Sequence, residues 1–260
     1  MADVLKRRDE SLAGGEWSDL IQKIRARTPA RVLVGRAGAA YRTGTQLDLR
    51  EAHAAARDAV RDELDLNAAV GVDFVRRWEL GEFRTRARNK DEYLLRPNLG
   101  RQFDDESRER LLRNYARNCD IQIAIGDGLS VAALAEQVPH LLPLLFDGVK
   151  ARGWTAGRAF VVRHCRVGIL NEIGELLKPD AAVLLIGERP GLATAASLSA
   201  YMAFRPTRGQ TDADRNLISN IHARGVGPEE AAERILQLAA NMMKSKASGC
   251  ELREDSRRIE

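Results

Sequence analysis

Residues 181–192 read AAVLLIGERPGL, an uninterrupted apolar run that ends at Gly187 and leads into a polar turn. A short apolar run between turn residues is typical of a strand that is buried on both faces of a sheet. Further out along the chain, IQIAI at 121–125 and RAFVV at 158–162 predict two more strands, and AYMAF at 200–204 is a further candidate.

The segments between these runs carry helical periodicity. Residues 131–152 predict a long helix, with a break expected at Pro139 or Pro143, and residues 167–177 predict a shorter one. A last helix is predicted over about residues 228–246, where proline and two glutamates suit a first turn. Alternating strands and helices predict an α/β fold with a mostly parallel sheet flanked by helices.

The first third of the chain has a different pattern. Apolar residues recur at helical spacing over 17–24, and the Ala-rich stretch 47–66 contains strong helix formers without a breaker. RPNLG at 96–100 has turn chemistry. These observations predict a mainly helical N-terminal subdomain at residues 1–97, with a short GRAG loop segment, followed by an α/β domain at residues 98–260.

Composition narrows the classes of function. Lys and Arg number 41 against 37 Asp and Glu, a net charge of +4, which argues against a polybasic nucleic-acid-binding tail. No apolar run approaches the roughly 18 residues of a membrane span, and the N-terminus lacks the apolar core of a secretory signal. The three cysteines form no CxxC, so neither a disulfide framework nor a zinc site is indicated. We expect a soluble, cytoplasmic protein without a membrane partner.

Three loops follow the predicted parallel strands: GDGLS at 126–130, RHCRVG at 163–168 and GERPGL at 187–192. Ligands bind beyond the carboxyl ends of the strands in open parallel sheets, and glycines let the backbone approach a ligand. The same composition also occurs in ordinary strand-end loops. GxGxxG and GxxxxGK[ST] are absent, and no nucleophile–base set or carboxylate pair is complete. The sequence indicates a binding module or half of an active site.

Several single residues have both a structural and a catalytic interpretation. Ser130 is interpreted as a helix N-cap in preference to a nucleophile. His164 and Cys165 are adjacent at a strand end, where neighbours point to opposite faces. A capped or solvated histidine beside a buried cysteine is therefore favoured over a catalytic pair. His53 is interpreted as a surface or interface residue.

Glu188 is the most interesting single residue. It directly follows the buried strand and Gly187, so its carboxylate stands at the edge of the sheet and can accept N–H or O–H groups from a ligand. The alternative is a salt bridge to one of three nearby arginines: Arg163, Arg166 or Arg189.

Residues 76–101 hold eight basic and four acidic side chains, so this segment alone accounts for the net charge of +4. Trp78, Phe83 and Tyr93 interleave with the arginines, an arrangement that suits single-stranded nucleic acid. Because acids are interspersed, a solvated or partner-facing surface also explains the charges. A single-stranded nucleic-acid-binding α/β protein is therefore the alternative function.

Several motifs then occur in a recognisable order. Residues 31–60 read RVLVGRAGAAYRTGTQLDLREAHAAARDAV, and IAIGDGLS, GERPGL, SLSAYMAF, LISNIHARGVGPEEAA and MMKSKASG follow. Together they resemble the small (light) subunit of ethanolamine ammonia-lyase over most of the chain from about residue 31. GERPGL and ISNIH with their spacing are specific, whereas the Ala-rich helix alone is not.

The resemblance implies one half of an adenosylcobalamin-dependent lyase that converts ethanolamine to acetaldehyde and ammonia by a radical mechanism. In that family a TIM-barrel large subunit holds the substrate, and the Rossmann-like sheet of the small subunit covers the cobalamin between the two chains. A hetero-oligomer with the large subunit, and no nucleic-acid partner, is expected. The missing catalytic set agrees with this, because the cofactor carries the chemistry.

The resemblance also assigns cobalamin contacts. Val167 and Glu188 match two cofactor-binding positions of the family, and Leu217 stands where the family often has cysteine. The loops with Val167 and Glu188 are expected at the ends of neighbouring parallel strands, so that both face one ligand. No catalytic residue and no metal ligand is implied for this chain. No DxHxxG motif occurs, so the cobalamin is expected to keep its own lower base. About thirty residues precede the GRAG segment, whereas some members carry a longer leader associated with a bacterial microcompartment, so encapsulation is left open.

Overall fold

The computed structural model describes residues 15–28 and 32–252. Contacts divide these residues into two units, which are described separately. The first unit is the described part up to Ala56 together with Gly191–Thr194, and the second is Arg57–Pro190 with the described part from Ala195 onward. The boundary predicted between residues 97 and 98 stays a prediction.

The first unit is largely helical and contains a small hairpin. Its elements are α1 (Gly15–Ala26), β1 (Arg36–Ala37), β2 (Ala40–Tyr41) and the start of α2 (Thr43–Arg61). α1 confirms the helix predicted from the apolar spacing, and Leu20 and Ile24 of its stripe are exposed. None of the side chains of α2 is buried. The helical N-terminal region expected from the sequence is therefore present.

The second unit contains the main sheet and its helices. Its first elements are α3 (Leu66–Val70), α4 (Val72–Arg77), β3 (Gly81–Arg84), α5 (Lys90–Leu95) and α6 (Asp105–Asn114). The alternating part consists of β4 (Ile121–Gly126), α7 (Val131–Ala151), β5 (Phe160–Arg163), α8 (Ile169–Leu177), β6 (Ala181–Gly187), β7 (Leu198–Phe204), β8 (Asn216–Ile221) and α9 (Pro228–Ser245). Short 3-10 turns lie at Leu99–Arg101, Asp212–Asp214 and Gly249–Glu251.

Two helices differ from their predictions. α2 ends at Arg61, earlier than expected, because Asp65 caps α3 by accepting the Ala68 amide hydrogen at 3.0 Å. α7 is continuous through Pro139 and Pro143, so the expected break is wrong. Each proline removes a backbone hydrogen bond, but eight side chains of α7 are buried, and this burial outweighs the loss.

The six strands of the second unit form one sheet in the order β3-β5-β4-β6-β7-β8. β3, β5, β4 and β6 are parallel, whereas β7 is antiparallel to both β6 and β8. This confirms the α/β fold with a mostly parallel sheet. β3 and β8 were not predicted, because both are edge strands with exposed positions and short apolar runs.

Helices cover both faces of the sheet. On one face Ile123 and Leu185 pack in a core with residues of α7 and α9, and on the other Val162 and Leu184 pack with residues of α8. Every residue of β4 and β6 is buried, which explains why these two strands are the clearest in the sequence. Among the residues that the structure describes, no helix has both the length and the apolar character needed to cross a membrane.

Candidate functional site

The three glycine-containing loops begin at one edge of the sheet. β4, β5 and β6 are parallel, so the segments after Gly126, Arg163 and Gly187 all start at carboxyl ends. The expectation that β5 and β6 are neighbours is wrong, because β4 pairs with both and separates them. The loops after β5 and β6 therefore approach each other across the end of β4.

Two glycines make this approach possible. A Cβ atom on Gly126 would lie 2.6 Å from the Cys165 sulfur, and one on Gly128 would lie 2.3 Å from the Gly187 carbonyl oxygen. Gly128 also has a φ of +55°, a conformation that residues with a side chain rarely adopt. The end of β4 is thus kept free of side chains, and the neighbouring loops close over it.

A cavity of about 360 Å³ lies at this edge. Its lining contains both residues assigned as cofactor contacts, Val167 and Glu188. Further lining side chains come from α5, β7 and β8: Tyr93, Ser199, Tyr201, Leu217 and Ser219. The sequence did not indicate most of these, because β8 was not predicted and the antiparallel direction of β7 was not foreseen.

Glu188 is half-buried and is held by three hydrogen-bond donors. Its Oε2 accepts the Ser197 hydroxyl at 2.7 Å, and its Oε1 accepts the Ser199 hydroxyl at 2.5 Å and the Asn220 amide hydrogen at 2.9 Å. These donors lie beside the end of β6 because β7 starts, and β8 ends, at that edge. A carboxylate oxygen can accept two hydrogen bonds, so Oε2 retains capacity for a ligand N–H.

Two of the three predicted arginine partners of Glu188 have other contacts. Arg163 pairs with Glu63 at 3.6 Å and with Glu82 at 3.3 Å. The guanidinium of Arg166 lies 4.2 Å from the centre of the Tyr93 ring and donates to the Tyr93 carbonyl at 3.3 Å. Hydrogen bonds from β7 and β8 therefore orient the Glu188 carboxylate.

Val167 lines the same cavity, and no group in the described part of the chain uses its backbone N–H. Its carbonyl accepts the Leu170 amide hydrogen at 3.1 Å as α8 begins. Within residues 15–28 and 32–252 its own amide donates to no protein group, as is usual before the first turn of a helix. A second cavity of about 500 Å³, lined by residues of α8, shares Arg166 and Val167 with the first. An extended ligand that meets Val167 can therefore occupy both.

Tyr201 and Leu217 form a cross-strand pair of β7 and β8 at the cavity. Leu217 is 47% exposed, so it offers an apolar contact where the family often has a thiol. Burial, followed by the charges of Asp212 and Glu188, raises the pKa of the Tyr201 hydroxyl above its ordinary value. The hydroxyl therefore stays neutral and can donate a hydrogen bond at physiological pH.

The other candidates have structural roles. His164 is buried and its Nε2 lies 2.9 Å from Glu63 Oε2, so it is neither solvated nor paired with a nucleophile. Burial raises the pKa of the Cys165 thiol well above its ordinary value, which makes it inert. Ser130 accepts an amide hydrogen of α7 at 3.2 Å and confirms the N-cap interpretation. His53 is exposed on α2.

Two of the three aromatic residues in the basic segment 76–101 are unavailable to nucleic acid. Phe83 and Tyr93 are both buried in the second unit and cannot stack on bases. Arg88 and Arg96 pair with Glu92 at 3.1 and 3.8 Å, so part of the positive charge is balanced locally. A solvated or partner-facing surface is the interpretation that remains.

The described residues that line this cavity do not form a complete catalytic set. The described lining residues provide a carboxylate, a backbone N–H, hydroxyl groups and an apolar side chain, without a nucleophile–base pair. In the described part of the chain, no group of three or more His, Cys, Asp or Glu is placed to hold a metal ion. Fold and site together define an α/β protein with a cavity at the carboxyl edge of its sheet, lined by polar and apolar side chains.

The comparisons with known proteins give the family. A family model described as ethanolamine ammonia-lyase light chain (EutC) matches residues 18–253. The protein named ethanolamine ammonia-lyase small subunit from Listeria monocytogenes is 42% identical over 231 residues, 89% of this chain and 77% of the relative. Its namesakes from Clostridium perfringens and Clostridioides difficile are 41% and 40% identical, covering 89% and 88% of this chain and 76% of each relative. This chain belongs to the ethanolamine ammonia-lyase light chain family.

Proposed function

We propose that this chain is the small subunit of an adenosylcobalamin-dependent lyase that converts ethanolamine to acetaldehyde and ammonia, and that it helps to bind the cobalamin. The observation that carries the proposal is the meeting of Val167 and Glu188 in one cavity. The two residues lie on loops whose strands are separated by β4, and they are the positions that the family resemblance assigns to the cofactor.

The chemistry of the cavity fits this cofactor. The rim of a corrin ring carries primary amides, each with an N–H donor and a carbonyl acceptor. The Glu188 carboxylate matches the donor, and the amide of Val167 matches the acceptor. The serine hydroxyls on Glu188 hold its carboxylate in place before a ligand arrives, which lowers the entropic cost of binding. Leu217 adds an apolar contact.

The partner in this proposal is the large, TIM-barrel subunit. A corrin ring is larger than a cavity of about 360 Å³, so only part of it enters and the large subunit covers the rest. When bound, adenosylcobalamin supplies the radical chemistry, and the large subunit holds ethanolamine. The role of this chain is then to orient the cofactor and exclude water on one side, as a Rossmann-like domain of a cytoplasmic hetero-oligomer, free or in a bacterial microcompartment.

The first test is reconstitution. Co-expressed with a large subunit, the chain should form a complex that retains adenosylcobalamin and deaminates ethanolamine. A complex that assembles and binds the cofactor without this activity would refute the proposed reaction.

The second test is Glu188→Gln in the same complex. The amide keeps the size of the side chain but loses the negative charge, so we expect about five- to tenfold weaker cobalamin binding, measured by absorbance after gel filtration. Glu136→Gln, an exposed position on α7 outside the cavity lining, is the matched control and should bind as the unaltered complex does. Equal retention by both variants would remove the proposed role of Glu188.

A further inference from the structure

The second cavity, of about 500 Å³, adjoins the cavity with Glu188, because Arg166 and Val167 line both. Four arginines contribute to the lining of the second cavity: Arg101, Arg166, Arg208 and Arg215. Three carboxylates line it as well, so its net charge depends on which of these groups already have partners. The pairing of each charged side chain therefore decides what kind of ligand the cavity suits.

Two of the four arginines are neutralised within the fold. Arg215 forms an ion pair with Asp212, and the Arg215 side chain is only 4% exposed. The guanidinium of Arg208 lies 3.7 Å from the Glu175 carboxylate, and the Arg208 amide hydrogen is donated to the same carboxylate at 3.1 Å. Each of these arginines is balanced by one carboxylate of the lining, so neither pair adds net charge to the cavity.

The third carboxylate of the lining is also engaged. Glu172 Oε2 accepts the Phe103 amide hydrogen at 2.6 Å, and Glu172 Oε1 lies 3.3 Å from Nη1 of Arg108, which does not line the cavity. Arg101 and Arg166 remain, and neither has a carboxylate within ion-pair distance among residues 15–28 and 32–252. The second cavity therefore has two positive charges that the described part of the chain does not pair.

A contact between two turns brings Arg101 and Arg166 to the same cavity. The Arg166 amide donates to the Gly100 carbonyl at 2.8 Å, which joins the 3-10 turn at Leu99–Arg101 to the segment before α8. A Cβ atom on Gly100 would lie 2.7 Å from Cγ of Arg166. One on Gly168 would lie 2.9 Å from Cγ and Cδ of Arg101. Each arginine therefore packs its stem against a glycine of the opposite turn, in space that a side chain would fill.

The two guanidinium groups retain donors for a ligand. Arg166 is half-buried, and its guanidinium lies 4.2 Å from the centre of the Tyr93 ring and donates one hydrogen bond, to the Tyr93 carbonyl, at 3.3 Å. The Arg101 side chain is exposed and makes no hydrogen bond to the residues that the structure describes. A guanidinium presents several N–H donors in a planar fork, which matches the oxygens of a phosphate group.

The start of α8 favours an anion at the same place. Gly168 is the N-cap of α8 and lines the second cavity, and no side chain caps this helix. The N-terminus of a helix carries a partial positive charge, which attracts phosphate groups. The only acidic side chain in the first turn is Glu172, which is paired with Arg108. The helix therefore adds to the attraction that the two arginines exert on an anion.

We propose that the second cavity binds a phosphate group through Arg101 and Arg166, and that its occupant is the phosphodiester in the nucleotide tail of cobalamin. The identity of the occupant rests on the proposed function, in which the corrin rim lies in the adjoining cavity with Glu188. The tail extends from that rim, and the two cavities share Arg166, so one ligand can occupy both. A free phosphate ion offers the same oxygens, and the experiment distinguishes these two sources.

The test compares two corrinoids in the complex with the large subunit. Adenosylcobinamide lacks the phosphate and nucleotide of adenosylcobalamin but keeps the corrin ring. In Arg101→Gln the dissociation constant for adenosylcobalamin, followed by absorbance, should rise about five- to tenfold, whereas that for adenosylcobinamide should change less than about twofold. Arg101→Lys keeps the positive charge and should show a smaller rise than Arg101→Gln. Arg113→Gln, at an exposed arginine of α6 outside both cavities, is the matched control and should bind both corrinoids as the unaltered complex does.

A measurement without cofactor tests the anion site itself. Inorganic phosphate, compared with chloride at the same ionic strength, should raise the unfolding temperature of the cofactor-free complex, because it binds the folded state. Arg101→Gln should reduce this rise, and Arg113→Gln should not. A rise that is the same in Arg101→Gln as in the unaltered complex would overturn the inference.

Three results with the corrinoids would also overturn it. Equal losses of binding for both corrinoids in Arg101→Gln would show that Arg101 does not contact the tail. Unchanged binding of both, with a phosphate effect that depends on Arg101, would identify free phosphate as the occupant. Failure of Arg101→Gln to assemble with the large subunit would assign the arginine to a subunit contact. A complex that binds neither corrinoid contradicts the proposed function instead, and the phosphate measurement then decides on the anion site.

Discussion

Replacing Gly128 by alanine tests the close approach of loops over the end of β4. The new Cβ would lie 2.3 Å from the Gly187 carbonyl oxygen and 2.6 Å from a side-chain carbon of Ile186. Gly153 provides a matched comparison, because it has a similar φ of +69° but no heavy atom within 4 Å of the position that an added Cβ would take. Comparing Gly128→Ala with Gly153→Ala therefore separates the cost of backbone strain from the cost of steric contact.

The expected magnitudes follow from this geometry. Forcing a residue with a side chain into the left-handed region costs about 1–2 kcal/mol, and this term applies to both variants. Overpacking against backbone adds about 1–3 kcal/mol in Gly128→Ala alone. For a unit of this size about 1 kcal/mol corresponds to about 2–4 °C, so Gly128→Ala should unfold about 2–12 °C below Gly153→Ala.

Circular dichroism of the purified variants on heating measures this difference. The same variants, in complex with the large subunit, should differ in cobalamin retention. Alanine at position 128 displaces Gly187 and hence Glu188, whereas alanine at 153 leaves the cavity intact. Equal unfolding temperatures, or full cofactor retention by Gly128→Ala, would refute the argument that this glycine positions the Glu188 loop.

Two further predictions concern buried and surface carboxylates. Asp127→Asn leaves the Lys90 ammonium buried without a counter-charge, so it should lower the free energy of unfolding in urea by about 3–5 kcal/mol. The double variant with Lys90→Met should recover part of this loss. If the losses of the two substitutions are additive instead, the pairing of Asp127 with Lys90 is contradicted. Asp120 accepts the Thr155 amide and hydroxyl hydrogens at 2.6 and 2.7 Å, and these bonds lower its pKa. The stabilisation from these hydrogen bonds is full above the ordinary aspartate pKa and is lost as pH falls. Asp120→Asn should therefore lower the free energy of unfolding by about 1 kcal/mol near about pH 7 and by little near about pH 2. A loss of stability that is the same at both pH values would contradict this.

The central strands were predictable because burial on both faces leaves an apolar run. β4 and β6 consist entirely of buried residues, and both were located from the sequence alone. The loop after β6, with Glu188, and the loop after β5, with Val167, were located in the same way, because β5 is also largely buried. Glycine and polar residues directly after such a run mark the carboxyl edge of a parallel sheet.

The edge of the sheet was harder to predict. β8 has only two buried positions among six residues, Ile218 and Ile221, so its pattern is close to that of a loop. Without β8 the sequence cannot show that the Asn220 amide and the hydroxyls of Ser197 and Ser199 bind Glu188. These contacts depend on the antiparallel pairing of strands, which periodicity does not encode.

The predictions of strand order and of a break in α7 were wrong for related reasons. Separation of β5 from β6 by β4 is a property of the tertiary topology, which strand and helix patterns do not report. The continuity of α7 through Pro139 and Pro143 likewise depends on burial against the sheet, and the local cost of proline is a poor guide there. The glycines at the end of β4 are visible in the sequence, and the structure shows that they let the separated loops meet.

The mixed character of the sheet has a consequence for how this cavity can be altered. The floor of the cavity, at the end of β4, has no room for a side chain, so substitutions of its glycines cannot be used to alter the cavity. The wall formed by Tyr201, Leu217 and Ser219 consists of side chains on antiparallel strands, with Leu217 already open to solvent. Under the proposed function, libraries that aim to accept corrinoids with modified rims are best confined to this wall, because changes there leave the glycines at the end of β4 in place.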